Sequence, residues 1–212
     1  MNNDTNDNLE KKRRSKTKLQ LKAPTQQRSK QTVSTILQAC SKLLIEEGFY
    51  GVTTDKVAKE AGVSIGSLYQ FFGNKESVVS AVIREVLSND IQKFKAAMTN
   101  TATLNQKQKV NLILHTLLQI HSTSLELRTK IQSIQNYLLD RQFFQDHIQS
   151  YCDIIEKILS PIENRNLKNV AFILTNSLLG LLNNAFEHNS HFQENTSLIK
   201  EMELLFESYL AV

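Results

Sequence analysis

The chain has 212 residues, room for one ordinary domain or for a small domain followed by a larger one. At 41% hydrophobic residues it can bury a sizeable core, which excludes global disorder, and its 6 Gly and 2 Pro are too few turn residues for a β-sandwich or α/β fold of this size. The net charge of +4 is lopsided: seven Lys/Arg against three Asp/Glu in residues 1–27, six against four in 28–75, twelve against fourteen in 76–212. The positive field therefore lies in the first third, as suits a segment that meets a polyanion.

Cys40 and Cys152 stand far apart inside helical patterns and form no disulfide framework; they read as buried thiols of a chain in a reducing cytoplasm. No apolar run follows the basic residues of 1–22, so no signal peptide is expected. The most apolar window, Val170 to Phe186, is interrupted by Thr175, Asn176, Ser177, Asn183 and Asn184, and is too short and polar to span a bilayer.

Residues 1–24 are polar, first Asn/Asp-rich and then basic, with Leu9, Leu19 and Leu21 as the large aliphatics beyond Met1, and are expected to form a flexible basic arm. Such an arm can follow the minor groove of DNA, where narrow A·T tracts attract Arg and Lys. From Gln26 the residues Val33, Ile36, Leu37, Cys40, Leu43 and Leu44 repeat at helical spacing, and Gly48 can take a left-handed conformation that ends that helix. A short helix Thr54 to Glu60 follows, capped by Thr53, with Val57, Ala58 and Ala61 inward. Gly62-Val63-Ser64 is the turn: Gly62 supplies positive φ and Ser64 caps a second short helix, Ile65 to Phe71. A longer helix runs from Lys75 to about Met98 with Val78, Val79, Val82, Ile83, Val86 and Leu87 buried, and further helices are expected at about 104–121, 124–139, 141–160, 166–188 and 196–210. The predicted fold is all-α with about nine helices.

Two short helices joined by a tight Ala-Gly-Val-Ser turn make a helix-turn-helix unit. The first must pack flat across the second, which needs small aliphatic inner residues. The second must leave a face bare for the major groove, so Leu68 with Phe71 or Phe72 points inward, and Ile65, Gly66, Ser67, Tyr69 and Gln70 remain outside. The residues Glu46-Glu47-Gly48-Phe49, Thr53, Val57-Ala58, Ala61-Gly62-Val63-Ser64, Gly66-Ser67-Leu68-Tyr69, Phe71-Phe72 and Asn74-Lys75-Glu76 fall at the spacing of one family motif. Over Arg28 to Lys75, about a quarter of the chain, the sequence resembles the DNA-binding domain of the TetR family of bacterial repressors. The resemblance implies that Ile65 and Gly66 face the groove with Gln70 a turn further on. It implies that Ser67 and Tyr69 hold phosphate, and that Lys75 and Thr53 do so at the starts of their helices. Ser64 and Thr53 serve as helix caps in either reading. Ile65 departs from the Lys, Arg or Gln often found there, which favours contact with a thymine methyl over bidentate guanine readout.

The helix at 166–188 carries Val170, Ile173, Leu174, Leu178, Leu181, Leu182 and Ala185 on one stripe and Phe172, Leu179 and Phe186 on another side, so nearly all its faces need cover. With Gly180, and with Leu198, Met202, Leu205, Phe206 and Tyr209 of the last helix, this resembles the family's two-helix dimer face, which implies a homodimer reading two half-sites of a palindromic operator in double-stranded DNA. The resemblance further implies an effector pocket within 104–160, for which His115, His121, Asn136, Tyr137, Phe143, Phe144, Asn176 and Asn183 are candidate lining groups suited to a lipophilic small molecule. His188 and His191 sit in a polar stretch with only Glu187 and Glu194 beside them, so no metal site or cofactor is expected. The sequence shows no Ser/His/Asp order and no Gly-rich phosphate loop, which argues against an enzyme. The expected organisation is an arm (1–24), a DNA-binding domain (25–74) and an effector-binding and dimerisation domain (75–212). The function implied is a cytoplasmic, ligand-released repressor. The alternative is an effector-independent DNA-bound protein of the same fold that recruits another protein, such as a cell-division regulator.

Overall fold

The computed structural model of the protein describes residues 27–162, 164–188 and 195–210. The basic arm, His191 and the side chains of Phe186 and His188 lie outside what is described. Among the described residues there are nine helices: α1 (Gln27–Gly51), α2 (Thr54–Glu60), α3 (Ile65–Tyr69), α4 (Lys75–Ala97), α5 (Gln106–Ser122), α6 (Leu125–Leu138), α7 (Arg141–Ile158), α8 (Leu167–His188) and α9 (Thr196–Leu210). The fold is all-α. Among the described residues no helix is long and apolar enough to cross a membrane.

The chain divides into two compact units, one running to Val86 and including Lys130–Asp140, the other made of Leu87–Thr129 and the chain from Arg141 on. The division falls inside α4, and most of α6 is grouped with the N-terminal unit.

In the N-terminal unit α1 buries Ile36, Leu37, Ala39, Cys40, Leu43 and Leu44. Gly48 breaks it with φ 67° and ψ 178°. The sign of φ is the one expected, but the backbone is extended rather than left-handed helical, so a last short turn carries on to Gly51. The α2–α3 turn is built as the sequence implied. Gly62 has φ 65°; its N–H donates to the Lys59 carbonyl at 3.1 Å and the Val63 N–H donates to the Ala58 carbonyl at 3.0 Å, the paired bonds of a Schellman stop. The second short helix ends at Tyr69, two residues before the expected Phe71. Val57, Leu68 and Phe72 fill the space between helices, together with Val52, Val78, Val79, Val82 and Ile83. Within this unit the Ser80 hydroxyl donates to the Leu138 carbonyl at 3.3 Å and Arg84 pairs with Asp140 at 3.0 Å, so the first half of α4 holds the end of α6.

In the C-terminal unit α7 and α8 pack along their lengths, and α5 lies against α8 and α9. One core joins Phe94, Ile113, Leu114, Leu117, Tyr151, Ile155, Val170, Leu174, Leu178, Met202 and Phe206. Into this apolar interior the structure sets an ion pair: Arg128 donates through both terminal nitrogens to Asp90, at 2.8 and 2.6 Å, and through Nε to the Thr123 carbonyl at 2.9 Å. The Asp90 side chain is 4% exposed and that of Arg128 14%. Such a pair survives burial because both carboxylate oxygens and the guanidinium fork are matched.

Candidate nucleic-acid interface

Each short helix is anchored by its cap, and the caps set which side chains stay outside. The Thr53 hydroxyl accepts the Lys56 N–H at 3.3 Å, and the Ser64 hydroxyl oxygen accepts the Ser67 N–H at 3.0 Å while meeting the Ser67 hydroxyl at 2.8 Å. With Leu68 turned fully inward, Ile65, Gly66, Tyr69 and Gln70 are left exposed on α3 and at its end. Ile65 is 37% exposed and Tyr69 44%, high for groups with this much apolar surface in a unit that has a packed interior. The Tyr69 hydroxyl lies 3.1 Å from that of Thr54 at the start of α2, a residue the sequence reading did not single out. The two hydroxyls, one from each arm of the motif, form a compact polar pair.

Lys75 is placed differently from what its expected role suggests. Its ammonium donates to the Phe49 carbonyl at 3.1 Å and lies 4.3 Å from the centre of the Phe49 ring, so it ties α4 to the end of α1. The next helix start is fixed by Asn74, whose Oδ1 accepts the Ser77 N–H at 2.8 Å while the Ser77 Oγ accepts the Asn74 N–H at 3.2 Å. This reciprocal cap is legible as Asn-x-x-Ser ahead of an apolar run, a signal not used above. Lys56 pairs with Glu47 and donates to the Gly51 carbonyl at 3.0 Å, which holds the start of α2 to the end of α1.

Two findings identify this arrangement. Residues 36–82 match the sequence profile of bacterial regulatory proteins of the tetR family. Beyond the head, the fold is similar to that of a protein from Mesorhizobium loti described as a putative TetR-family transcriptional regulator, with a TM-score of 0.72 at 20% identity over 88% of this chain and 98% of that one. Residues 36–82 are thus a DNA-binding domain of the tetR family, set in a chain with a TetR-like fold. That family is non-enzymatic. The chain is also 26% identical over 125 residues, 59% of its length, to the fatty acid metabolism regulator protein of Bacillus subtilis, and spans 64% of that relative's length. It resembles the structure of FadR from Bacillus subtilis in complex with stearoyl-CoA, with a TM-score of 0.60 at 17% identity, over 84% of this chain and 97% of that one.

The TetR-type body places the remaining candidates in different settings. His121 is half-buried: its Nδ1 is 2.9 Å from the Leu117 carbonyl, and desolvation, with the Arg128 cation beside it, pushes its pKa down to about 4. His147 stacks on Phe143 and meets the edge of Tyr151, and burial lowers its pKa too. Phe144 is half-buried. His115 is exposed and pairs with Glu203 at 2.7 Å, while Asn176 and Asn183 are exposed on α8. Asn136 and Tyr137 are exposed on the part of α6 grouped with the N-terminal unit. The sequence reading missed Asp90 and Arg128. Asp90 had a signal, since it falls on the apolar stripe of α4 between Val86 and Phe94.

The expected dimer residues also separate. Leu179, Met202 and Phe206 face this chain's own core. Phe172, Gly180, Leu198 and Leu205 are exposed, and Ile173, Leu181 and Leu204 are exposed with them. The residues turned outward on α8 and α9 thus include six large apolar side chains.

Proposed function

We propose that this TetR-family protein is a dimeric repressor that binds a palindromic operator through α3 of each subunit and leaves it when a lipophilic small molecule enters its body. The observation that carries the DNA-binding part is the outward row Ile65, Gly66, Tyr69 and Gln70 on a helix whose other face is locked by Leu68. Thr53, Ser64, Ser67 and Lys75 surround that row as phosphate ligands, with the pair of hydroxyls on Thr54 and Tyr69 added to the set. The exposed apolar side chains of α8 and α9 support pairing with a second copy into a four-helix interface, since faces of this kind are otherwise an aggregation hazard. Residues 1–24 act as a basic arm, 25–74 as the DNA-binding domain and the rest as the effector and dimerisation domain. A protein working on the chromosome of a bacterium acts in the cytoplasm.

The relatives named above, one a regulator of fatty acid metabolism and one solved with stearoyl-CoA, make long-chain acyl-CoA the first effector class to test. Because α4 begins in the head and ends in the body as one continuous helix, a ligand that alters its course alters the spacing of the two recognition helices. The test is fluorescence anisotropy of the full chain on a duplex it selects, with and without palmitoyl- or stearoyl-CoA. Specific binding that falls on adding the ligand supports the repressor. Specific binding indifferent to a wide panel of lipophilic compounds favours the effector-independent DNA-bound protein instead. Absence of any preferred sequence rejects both.

A further inference from the structure

Gly66 is the second residue of α3, and nothing inside the chain calls for a glycine there. Its φ is not among the positive values, which among the described glycines belong to Gly48 and Gly62. A Cβ built at Gly66 meets a single atom within 4 Å, the Ser64 Oγ at 3.9 Å, which is ordinary contact. An exposed helical position with room for a methyl group is one where alanine gives the more stable helix, because glycine has more backbone freedom to lose. Gly62 is the contrast: four residues earlier, the turn itself needs its conformation. The bare Cα of Gly66 is therefore explained from outside the chain, by something that approaches the backbone closely.

The neighbours say what that partner is. Ile65 precedes it with its apolar side chain exposed. The Ser67 hydroxyl, which follows, is turned to the Ser64 hydroxyl at 2.8 Å. Gln70, whose N–H donates to the Gly66 carbonyl at 3.2 Å, presents its amide one turn further along. The surface at Gly66 thus has an apolar wall and an open floor. In the major groove the one apolar group at a base edge is the thymine 5-methyl, while guanine, cytosine and adenine present donors or acceptors that such a surface leaves unpaired. We propose that Gly66, with Ile65 beside it, is a specificity-determining seat for a thymine methyl in each half-site. The inference rests on α3 being the recognition helix and goes beyond that by naming the base read there.

The full-length protein is used to enrich a sequence from random duplex DNA. Each thymine of the enriched site is then replaced singly by uracil, which pairs identically and lacks only the methyl group. One thymine per half-site is expected to weaken wild-type binding about fourfold when so replaced, the effect of burying one methyl. Gly66→Ala is expected to bind the enriched duplex tenfold or more weakly and to lose sensitivity to that uracil, with a Tm unchanged or raised by about 1–3 °C. Ile65→Ala is expected to blunt the same uracil effect. An enriched site at which every uracil is neutral, or Gly66→Ala binding as tightly as wild type, overturns the seat while leaving the recognition helix intact. Failure of the wild type to enrich any sequence overturns the recognition helix and the seat with it.

Discussion

Tyr69 carries its hydroxyl to 3.1 Å from that of Thr54; one of the two donates to the other, and the hydrogen of the second is left for a phosphate oxygen. Replacing Tyr69 by Phe removes one donor and almost no packing, since the residue is 44% exposed. The expected result is DNA affinity lower by about tenfold or more, the worth of a hydrogen bond to a charged group, with an unchanged thermal unfolding midpoint. His121 makes a prediction of a different kind. Its folded-state pKa lies near 4, below the unfolded value of about 6.5, so the fold favours the neutral ring. That contribution is complete above about pH 6.5 and is lost as the pH falls towards 4, because the unfolded chain then binds the proton more readily. His147 acts in the same direction. Tm should fall by several degrees over that interval, and His121→Asn should flatten the decline. Single residues were readable where one position decides the local backbone or face: Gly62, Thr53, Ser64 and Leu68 each sit in the role their chemistry suggested. Thr54 was not readable, because its partner is fifteen residues away and on another helix.

At the scale of elements, α4 and α6 are held by polar contacts that run from Ser80 to the Leu138 carbonyl and from Arg84 to Asp140 in one unit, and from Asp90 to Arg128 in the other. The last is the consequential one. Truncating either partner leaves a charge stranded in the apolar body, so Asp90→Ala or Arg128→Ala should each cost about 3–5 kcal/mol in urea unfolding. The double replacement Asp90→Leu with Arg128→Met should cost much less than the sum of the single changes, since no lone charge remains. Helix limits were largely readable: α2 and α9 have the bounds expected, and those of α5 to α8 lie within two residues of the ones expected. Apolar spacing and caps are local signals, which is why they sufficed. The pairing of Asp90 with Arg128 spans 38 residues, and periodicity carries no record of which polar group answers another.

For the whole molecule, the all-α layout followed from scarce Gly and Pro and from uninterrupted helical stripes, whereas the partition of α8 and α9 did not. Their apolar residues exceed what one core can enclose, and sequence alone could not say which would face inward. Leu179, Met202 and Phe206 went to the core; Phe172, Leu198, Leu204 and Leu205 stayed outside. If those outer groups meet a second copy, Phe172→Glu with Leu205→Glu should yield a monomer by sedimentation. The helical circular-dichroism signal should persist, because both residues are more than half exposed, while affinity for a two-half-site duplex should collapse towards that for a single half-site. A variant that stays dimeric would place the subunit contact elsewhere.

The burial of the two cysteines has a practical consequence. Cys40 is sealed in the N-terminal unit, with its pKa driven up to about 12 by burial, and Cys152 lies in the other unit, 5% exposed and likewise raised. Neither presents a thiolate to a reagent while its unit stays closed. Alkylation then becomes a clock for breathing, with one reporter per unit and no label to engineer. Mass spectrometry of the two peptides over time would record head and body opening separately, and a duplex or a small molecule that steadies one of them would slow one clock and leave the other running.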